Sequence, residues 1–345
     1  MKNSKDDYYN AAFSHIYVEK AAWSHPRTKR ILSHFPKASV VEIDHYKDVF
    51  CRKGQNYGLQ HRAQNLILAV KTGTLIYRGS PVCQSFGNAH FYYASCMMNC
   101  IYDCEYCYLK GMYPSGNLVA FVNLEDIFSE TKRLLSHHPV YLCISYDTDL
   151  SALEPVMGYL SEWEKFAGTH EHLNLEIRTK SANRSFEALK PSSKIIYAFT
   201  LSPQAVIEAY EHKTPSLAQR ISCAADAMER GFPVRLCFDP MIYIKDWEKE
   251  YDAMLDAVSS KIRMEKLLDV SVGTFRISQD YLKKMRKQAP YSPIAQFPYQ
   301  NETGVCQYPL RLSEQMERHM VLRLKENMPQ ENIFLWKEES GDFYE

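Results

Sequence analysis

Ser95 to Lys110 reads SCMMNCIYDCEYCYLK, and four of the chain's ten cysteines fall inside it. Cys100, Cys104 and Cys107 spell C-x3-C-x2-C, with Tyr106 between the last two. Three thiolates on one short loop suit a four-iron four-sulfur cluster, because three cysteines leave one iron open for an exogenous ligand. Structural zinc takes four protein ligands, usually as two separated pairs, and no second C-x2-C pair or paired histidines follow downstream. A disulfide framework belongs to much smaller secreted chains. Cys96 to Cys100 also has the first spacing, but its continuation puts Asp103 where a third cysteine belongs. The consistent ligand set is therefore Cys100, Cys104 and Cys107.

Outward from that stretch, the chain is globular in composition: 345 residues, 46% hydrophobic and 24% charged. No apolar run approaches the ~20 residues of a membrane span, and the polar start MKNSKDDYYNAAF lacks the apolar core of a signal peptide. The expectation is a cytoplasmic monomer with no membrane association, whose cysteines are ligands, reactive thiols and buried apolar groups rather than bridges. The zero net charge hides an asymmetry, since residues 1–90 hold 13 Lys and Arg against 6 Asp and Glu. A basic lobe is compatible with a polyanionic partner, although solvated lysines on a small domain look the same in sequence.

Three regions are expected: a basic N-terminal α/β lobe (1–88), a larger β/α domain (89–289) and a C-terminal hairpin and helix extension (290–345). In the first, HIYVEK (15–20), SVVEID (39–44), NLILAV (65–70) and TLIYRG (74–79) read as strands. A helix lies between Ser24 and Pro36, and Lys71-Thr72-Gly73 reads as a tight hairpin turn joining the last two strands. From residue 89 strands and helices alternate. HFYYAS leads into the cysteine loop, and Asn123 sits where an N-cap belongs. YLCIS (141–145), LNLEIRT (173–179), KIIYAFTL (194–201), FPVRLCF (232–238) and VSVGTFRI (270–277) are the further strands. Between them SALEPVMGYLSEWEKF reads as helical, and a helix from Ser216 to the stop at Gly231 and a helix around Trp247 to Val258 carry amphipathic spacing. Six such repeats predict a partial parallel (β/α)6 barrel with a lateral opening and an active site at the C-terminal ends of its strands. Residues 291–311, with three prolines and Gly304, read as a loop or hairpin. A helix from Ser313 and the short strand NIFLWK follow.

C-x3-C-x2-C with an aromatic between the last two cysteines, after the first strand of a partial barrel, resembles the radical S-adenosylmethionine superfamily. Within it the chain resembles the spore photoproduct lyase family over nearly its whole length. The resemblance is carried by CEYCYLK (104–110), Arg178-Thr179-Lys180, FTLS (199–202), AYEHKTPSLAQR (209–220) and the segment from Gly58 to Val70. It implies a 4Fe-4S cluster and S-adenosylmethionine, whose reductive cleavage gives a 5′-deoxyadenosyl radical. It further implies a DNA-repair lyase that reverses the thymine dimer of ultraviolet-damaged DNA: hydrogen is taken from C6, the methylene bridge breaks and a hydrogen is returned. A flavodoxin or ferredoxin is the implied electron donor. By the same resemblance Cys100, Cys104 and Cys107 are the cluster ligands, and Tyr106, Thr148, Lys180, Thr200 and Ser202 are cofactor contacts. Tyr106 and Tyr108 match a pair that passes the hydrogen along.

One departure stands out. Aligning SYDTD on Asp149 puts Tyr146 where the family has its hydrogen-donor cysteine. A strand continuing past Cys143 would point that thiol away from position 146, so Cys143 reads as core. The donor is then Tyr146 itself or another thiol, with Cys83 in GSPVCQSFGN the leading candidate and Cys306 the next. For lesion contact, an aromatic and basic hairpin wedge is expected in Tyr299 to Arg311, with Tyr308 and Arg311, joined by Arg276. Two alternatives keep different parts of this reading. One is the same cofactor acting on a peptide or metabolite, because cofactor motifs do not name a substrate; the other is a metal protein that only binds nucleic acid.

Overall fold

The computed structural model describes residues 13–80 and 83–336. Six strands lie side by side in chain order and all run parallel: Phe91–Ala94, Val140–Cys143, Leu173–Thr179, Ile195–Thr200, Val234–Met241 and Asp269–Thr274. Ile333–Leu335 extends the far edge in parallel, and Ile76–Arg78 adds an antiparallel strand at the near edge. The two outermost strands do not pair with each other, so the sheet is an open partial barrel.

Strand alternation sorts the side chains into two environments. Leu173, Leu175 and Ile177 join the main apolar core under the helices, as do Val234, Leu236, Val270 and Val272 from neighbouring strands. The helices that cover this face begin and end where local chemistry dictates. Ser216 and Gln219 form a capping box for Leu217–Glu229, and Gly231 leaves in the left-handed region at φ +88°. The stretch expected as one helix after Ser151 is two, Leu150–Met157 and Tyr159–Gly168, broken at Gly158 with φ +62°.

The inner face is polar rather than apolar. Near the N-terminal ends of the strands Arg235 donates to Asp269, Glu176 and the Tyr141 hydroxyl, and Phe86 covers its guanidinium. This closed group forms the floor of the barrel. Two acids and a phenol satisfy the buried cation.

The N-terminal strands build a second sheet, ordered Ser39–Ile43, His15–Glu19, Leu66–Ala69, Leu118–Phe121 and Met97–Met98. The hairpin expected at Lys71-Thr72-Gly73 does not form. Leu66–Ala69 takes parallel partners on both sides, so its backbone groups are already used, and Ile76–Arg78 joins the large sheet instead. Asn123 helps set that exit: its side chain accepts from Lys71 N at 2.7 Å and donates to Lys71 O at 2.9 Å, rather than capping helix Leu124–Leu135. Leu118–Phe121, which was not expected as a strand, ties the first sheet directly to the segment carrying the cysteines.

At the other end, the single strand expected over 270–277 divides. Arg276–Ser278 leaves the large sheet and pairs with Val305–Gln307, which pairs in turn with Gln300–Glu302. Thr303 and Gly304 both have positive φ at this hairpin's turn, the geometry that matches strand twist. Helix Leu310–Lys325 starts three residues before the expected Ser313. No helix among the described residues is long and apolar enough to cross a membrane.

Candidate active site

The cysteine stretch is pinned from several sides. Cys96 is fully buried and turned toward the helices, where Trp163 Nε1 donates to its sulfur at 3.4 Å. Asn99 adopts φ +68° and its side chain donates to the Ser115 and Asn117 carbonyls, which swings the chain away from the sheet. His61 Nε2 lies 3.1 Å from the Cys100 carbonyl, to which Gln64 also donates. Asp103–Cys104 pairs antiparallel with Glu211–His212, and Glu105 N donates to Tyr210 O. The short helix Leu109–Met112 then packs on Gln279–Gln288 so closely that a Cβ on Gly111 would meet the Tyr281 backbone at 2.5 Å.

Cys104 is buried and Cys100 and Cys107 are half-buried. Burial pushes the Cys104 thiol up to about 12 and raises the other two, and Cys107 further disfavours charge on Cys100 and Cys104. Among the described residues no three His, Cys, Asp or Glu side chains converge as ligands of a single ion. Three soft sulfurs on one loop, with Cys96 facing away, fit a cluster held by Cys100, Cys104 and Cys107.

A buried ionic knot lies against the loop. Lys180 Nζ stands 3.7 Å from Cys104 Sγ, 2.6 Å from the Tyr106 hydroxyl and 3.2 Å from Glu211 Oε1. Glu211 also accepts from Tyr106, from Ser202 Oγ at 2.8 Å and from the fully buried Arg220. Arg220 further donates to the Thr200 carbonyl at 3.2 Å and to Thr214 Oγ1 at 2.6 Å. Burial alone would raise the Glu211 carboxyl, but Arg220 and then Lys180 hold it well below the usual carboxylate range. Asp149 sets the height of Lys180. It caps helix Leu150–Met157 through Ala152 N and accepts from Thr179 Oγ1 and Lys180 N. Thr148 Oγ1 beside it is buried with no hydrogen-bond partner.

The two donor candidates left open by the sequence meet. Cys83 Sγ lies 3.2 Å from the Tyr146 hydroxyl. The Tyr146 ring stacks on Tyr93 at 4.2 Å, and Tyr108 donates to the Tyr146 carbonyl at 2.8 Å with its ring 5.8 Å away. Burial keeps both the Cys83 thiol and the Tyr146 phenol protonated, so each retains a hydrogen to give. Tyr106 and Tyr108 thus go to different places: the first to the Lys180 and Glu211 knot, the second to the donor pair.

Over residues 12–296 the chain matches the family model described as spore photoproduct lyase. The chain belongs to the spore photoproduct lyase family. A spore photoproduct lyase of Clostridium acetobutylicum is 25% identical over 82% of this chain and 84% of its own length. That of Bacillus subtilis is 20% identical over 79% and 80%. A solved spore photoproduct lyase mutant with bound AdoMet and dinucleoside spore photoproduct superposes with a TM-score of 0.79 at 18% identity, covering 95% of this chain and 99% of that one. The family fold is thus shared almost end to end, and with it the radical S-adenosylmethionine type of partial barrel and the enzymatic character of the family.

Three expectations need correction in this lyase-family chain. Cys143 is not in the helix-side core but on the inner face, in register with Tyr93 and Glu176. The strand ends at Cys143, so alternation does not carry to position 146, and both side chains reach the inside. Tyr308 is not a wedge: it is 2% exposed, packs on Phe297 and Tyr299, and accepts from Tyr243 N. Arg276 is largely buried and held by Asp239 at 3.0 and 3.1 Å with Trp336 against its guanidinium. Arg311 is exposed at the start of helix Leu310–Lys325. The hairpin tip, Asn301 to Gly304, is exposed and carries neither an aromatic nor a basic group. Cys306, the reserve donor, is buried in the core.

Sequence reasoning gave no role to Glu211 and Arg220. Both lie in the quoted run 209–220, but nothing in their spacing reveals that a turn folds one onto the other.

Proposed function

We propose that this enzyme splits the thymine dimer spore photoproduct in DNA into two thymines, using S-adenosylmethionine and a 4Fe-4S cluster held by Cys100, Cys104 and Cys107. The observation that carries this reading is the Cys83–Tyr146 contact of 3.2 Å, a hydrogen donor set on the same inner face as Lys180. When bound, the cofactors supply reductive cleavage of a sulfonium and, from it, abstraction of hydrogen from the lesion. The protein's part is to hold and finish. Lys180, fixed by Asp149 and Glu211, is placed to take the cofactor's carboxylate as a charge-assisted partner, with Thr148, Thr200 and Ser202 around it. Once the methylene bridge has broken, the carbon radical on the departing thymine takes a hydrogen atom from Cys83 Sγ–H and becomes a methyl group. The thiyl left behind faces the Tyr146 hydroxyl, and Tyr108 lies next along.

DNA meets this end of the molecule at exposed groups other than the hairpin. Tyr291 is 95% exposed and follows a helix bearing Lys283, Lys284 and Lys287 on its solvent side, an aromatic and cationic combination that suits a nucleic-acid strand. The polar hairpin tip favours a second reading, in which the same cofactors act on a smaller substrate such as a peptide or metabolite.

The test is product analysis on dinucleoside spore photoproduct with reductant and S-adenosylmethionine. The expected result is two thymidines from the wild-type enzyme. From Cys83→Ala we expect bond cleavage with adducts of the reductant in place of most of the thymine. Normal product from Cys83→Ala, with adducts from Tyr146→Phe, would move the donor to the tyrosine. Cofactor cleavage without any thymine would favour the second reading.

A further inference from the structure

We infer that Arg178 reads the ring carbonyls of the substrate, an assignment that rests on the thymine-lesion reading above. Along strand Leu173–Thr179 and into the next residue, Glu176, Arg178 and Lys180 share the inner face, each separated from the next by about 7 Å. The two ends of this row are committed. Glu176 belongs to the floor, held by Arg235 and Tyr141, while Lys180 reaches a cluster cysteine. A molecule lying between the floor and the cofactor end therefore meets Arg178.

That side chain is built to be met. Ser145 Oγ accepts from Arg178 N at 2.7 Å and donates to Arg178 O at 2.9 Å, so its backbone is clamped to the turn leading into Tyr146. Its Nε donates to Glu176 Oε1 at 3.1 Å, which fixes the plane of the guanidinium. Neither terminal nitrogen donates to any group among the described residues, and the side chain keeps 28% exposure. A planar fork of N–H donors is thus held rigid and unused on the inner face. Leaving such donors without a partner when water is displaced is costly, so an occupant that supplies acceptors is favoured over an apolar one.

Charge narrows the occupant further. Arg178 and Arg235 balance Glu176 and Asp269, and Arg276 balances Asp239. With no surplus positive charge on this part of the inner face, a neutral acceptor fits better than a phosphate. The carbonyl oxygens of a pyrimidine ring are such acceptors. A ring seated on this fork lies beside the turn that carries Tyr146 and so within the neighbourhood of Cys83.

The experiment measures binding of two lesions to the reconstituted full-length protein by calorimetry: dinucleoside spore photoproduct, which has no bridging phosphate, and the phosphate-bridged dinucleotide. Arg178→Lys keeps the charge beside Glu176 but loses the fork. The expected result is a Kd weakened by about 10- to 100-fold for both ligands, with a melting temperature close to wild type. Unchanged affinity for both overturns the assignment, and so does loss confined to the dinucleotide, which would make Arg178 a phosphate contact. If the wild-type protein binds neither lesion, the functional reading falls and takes this assignment with it. Should Arg178→Lys unfold, the wild-type protein decides the matter with dinucleosides whose ring C=O groups are changed one at a time to C=S. At least one should bind several-fold more weakly, and equal binding by all of them overturns the assignment.

Discussion

Alanine at Cys104 should end S-adenosylmethionine cleavage outright, and alanine at Cys100 or Cys107 should do the same. Three thiolates leave no protein ligand in reserve, and the remaining cysteine of the stretch, Cys96, is buried against Trp163. Each variant should lose the visible absorption of the cluster along with its iron and sulfide. Cys96→Ala is the contrast. It should keep the chromophore and cost about 1–2 kcal/mol of stability, from a small cavity and a buried indole N–H left without its acceptor. Loss of the cluster in Cys96→Ala together with its retention in Cys100→Ala would show that Cys96, and not Cys100, is the third ligand beside Cys104 and Cys107.

Glu211→Ala should be the most destabilising single substitution in the site. The Glu211 carboxylate is buried and bound by Arg220, Lys180, Tyr106 and Ser202, and Arg220 has no exposure of its own. Removing the acid leaves a guanidinium and an ammonium together in a buried site, a change worth about 3–5 kcal/mol. The melting temperature should fall by about 4–7 °C. Glu211→Gln, which keeps hydrogen-bond acceptance but not charge, should fall less. Because the knot holds Lys180 beside Cys104, the glutamine variant should also bind S-adenosylmethionine more weakly, measured by titration of the reconstituted protein. A loss below about 1 kcal/mol in Glu211→Ala would mean that Arg220 finds water or another acceptor.

Elements set by local chemistry were legible in the chain. LNLEIRT is a strand over the residues read for it, and the helix between Ser216 and Gly231 has the cap and stop its ends announce. What failed depended on distant partners. Leu66–Ala69 and Ile76–Arg78 have every local feature of a hairpin, and they separate only because strands at 15–19 and 118–121 claim both edges of the first. Cys143 was misplaced because parity counts only while a strand lasts, and no sequence signal marked its end there. Tyr308 looked like a wedge because an aromatic in a proline-rich segment reads as surface, whereas Phe297, Tyr299 and Tyr243 bury it. In the site, the cysteines stand out in sequence because a fixed spacing is itself the signal that proposes their chemistry. The Cys83–Tyr146 contact spans 63 residues and the Glu211–Arg220 pair closes across a turn, so only the fold displays them.

The most direct test of the account is the isotope content of the thymine methyl group formed from dinucleoside spore photoproduct when wild-type enzyme turns over once in D2O. The hydrogen on Cys83 exchanges with solvent, so the account predicts thymine with a single deuterium in the new methyl group, and loss of that labelled thymine in Cys83→Ala. Thymine whose new methyl group carries no deuterium, or turnover that consumes S-adenosylmethionine and yields no thymine, would contradict it.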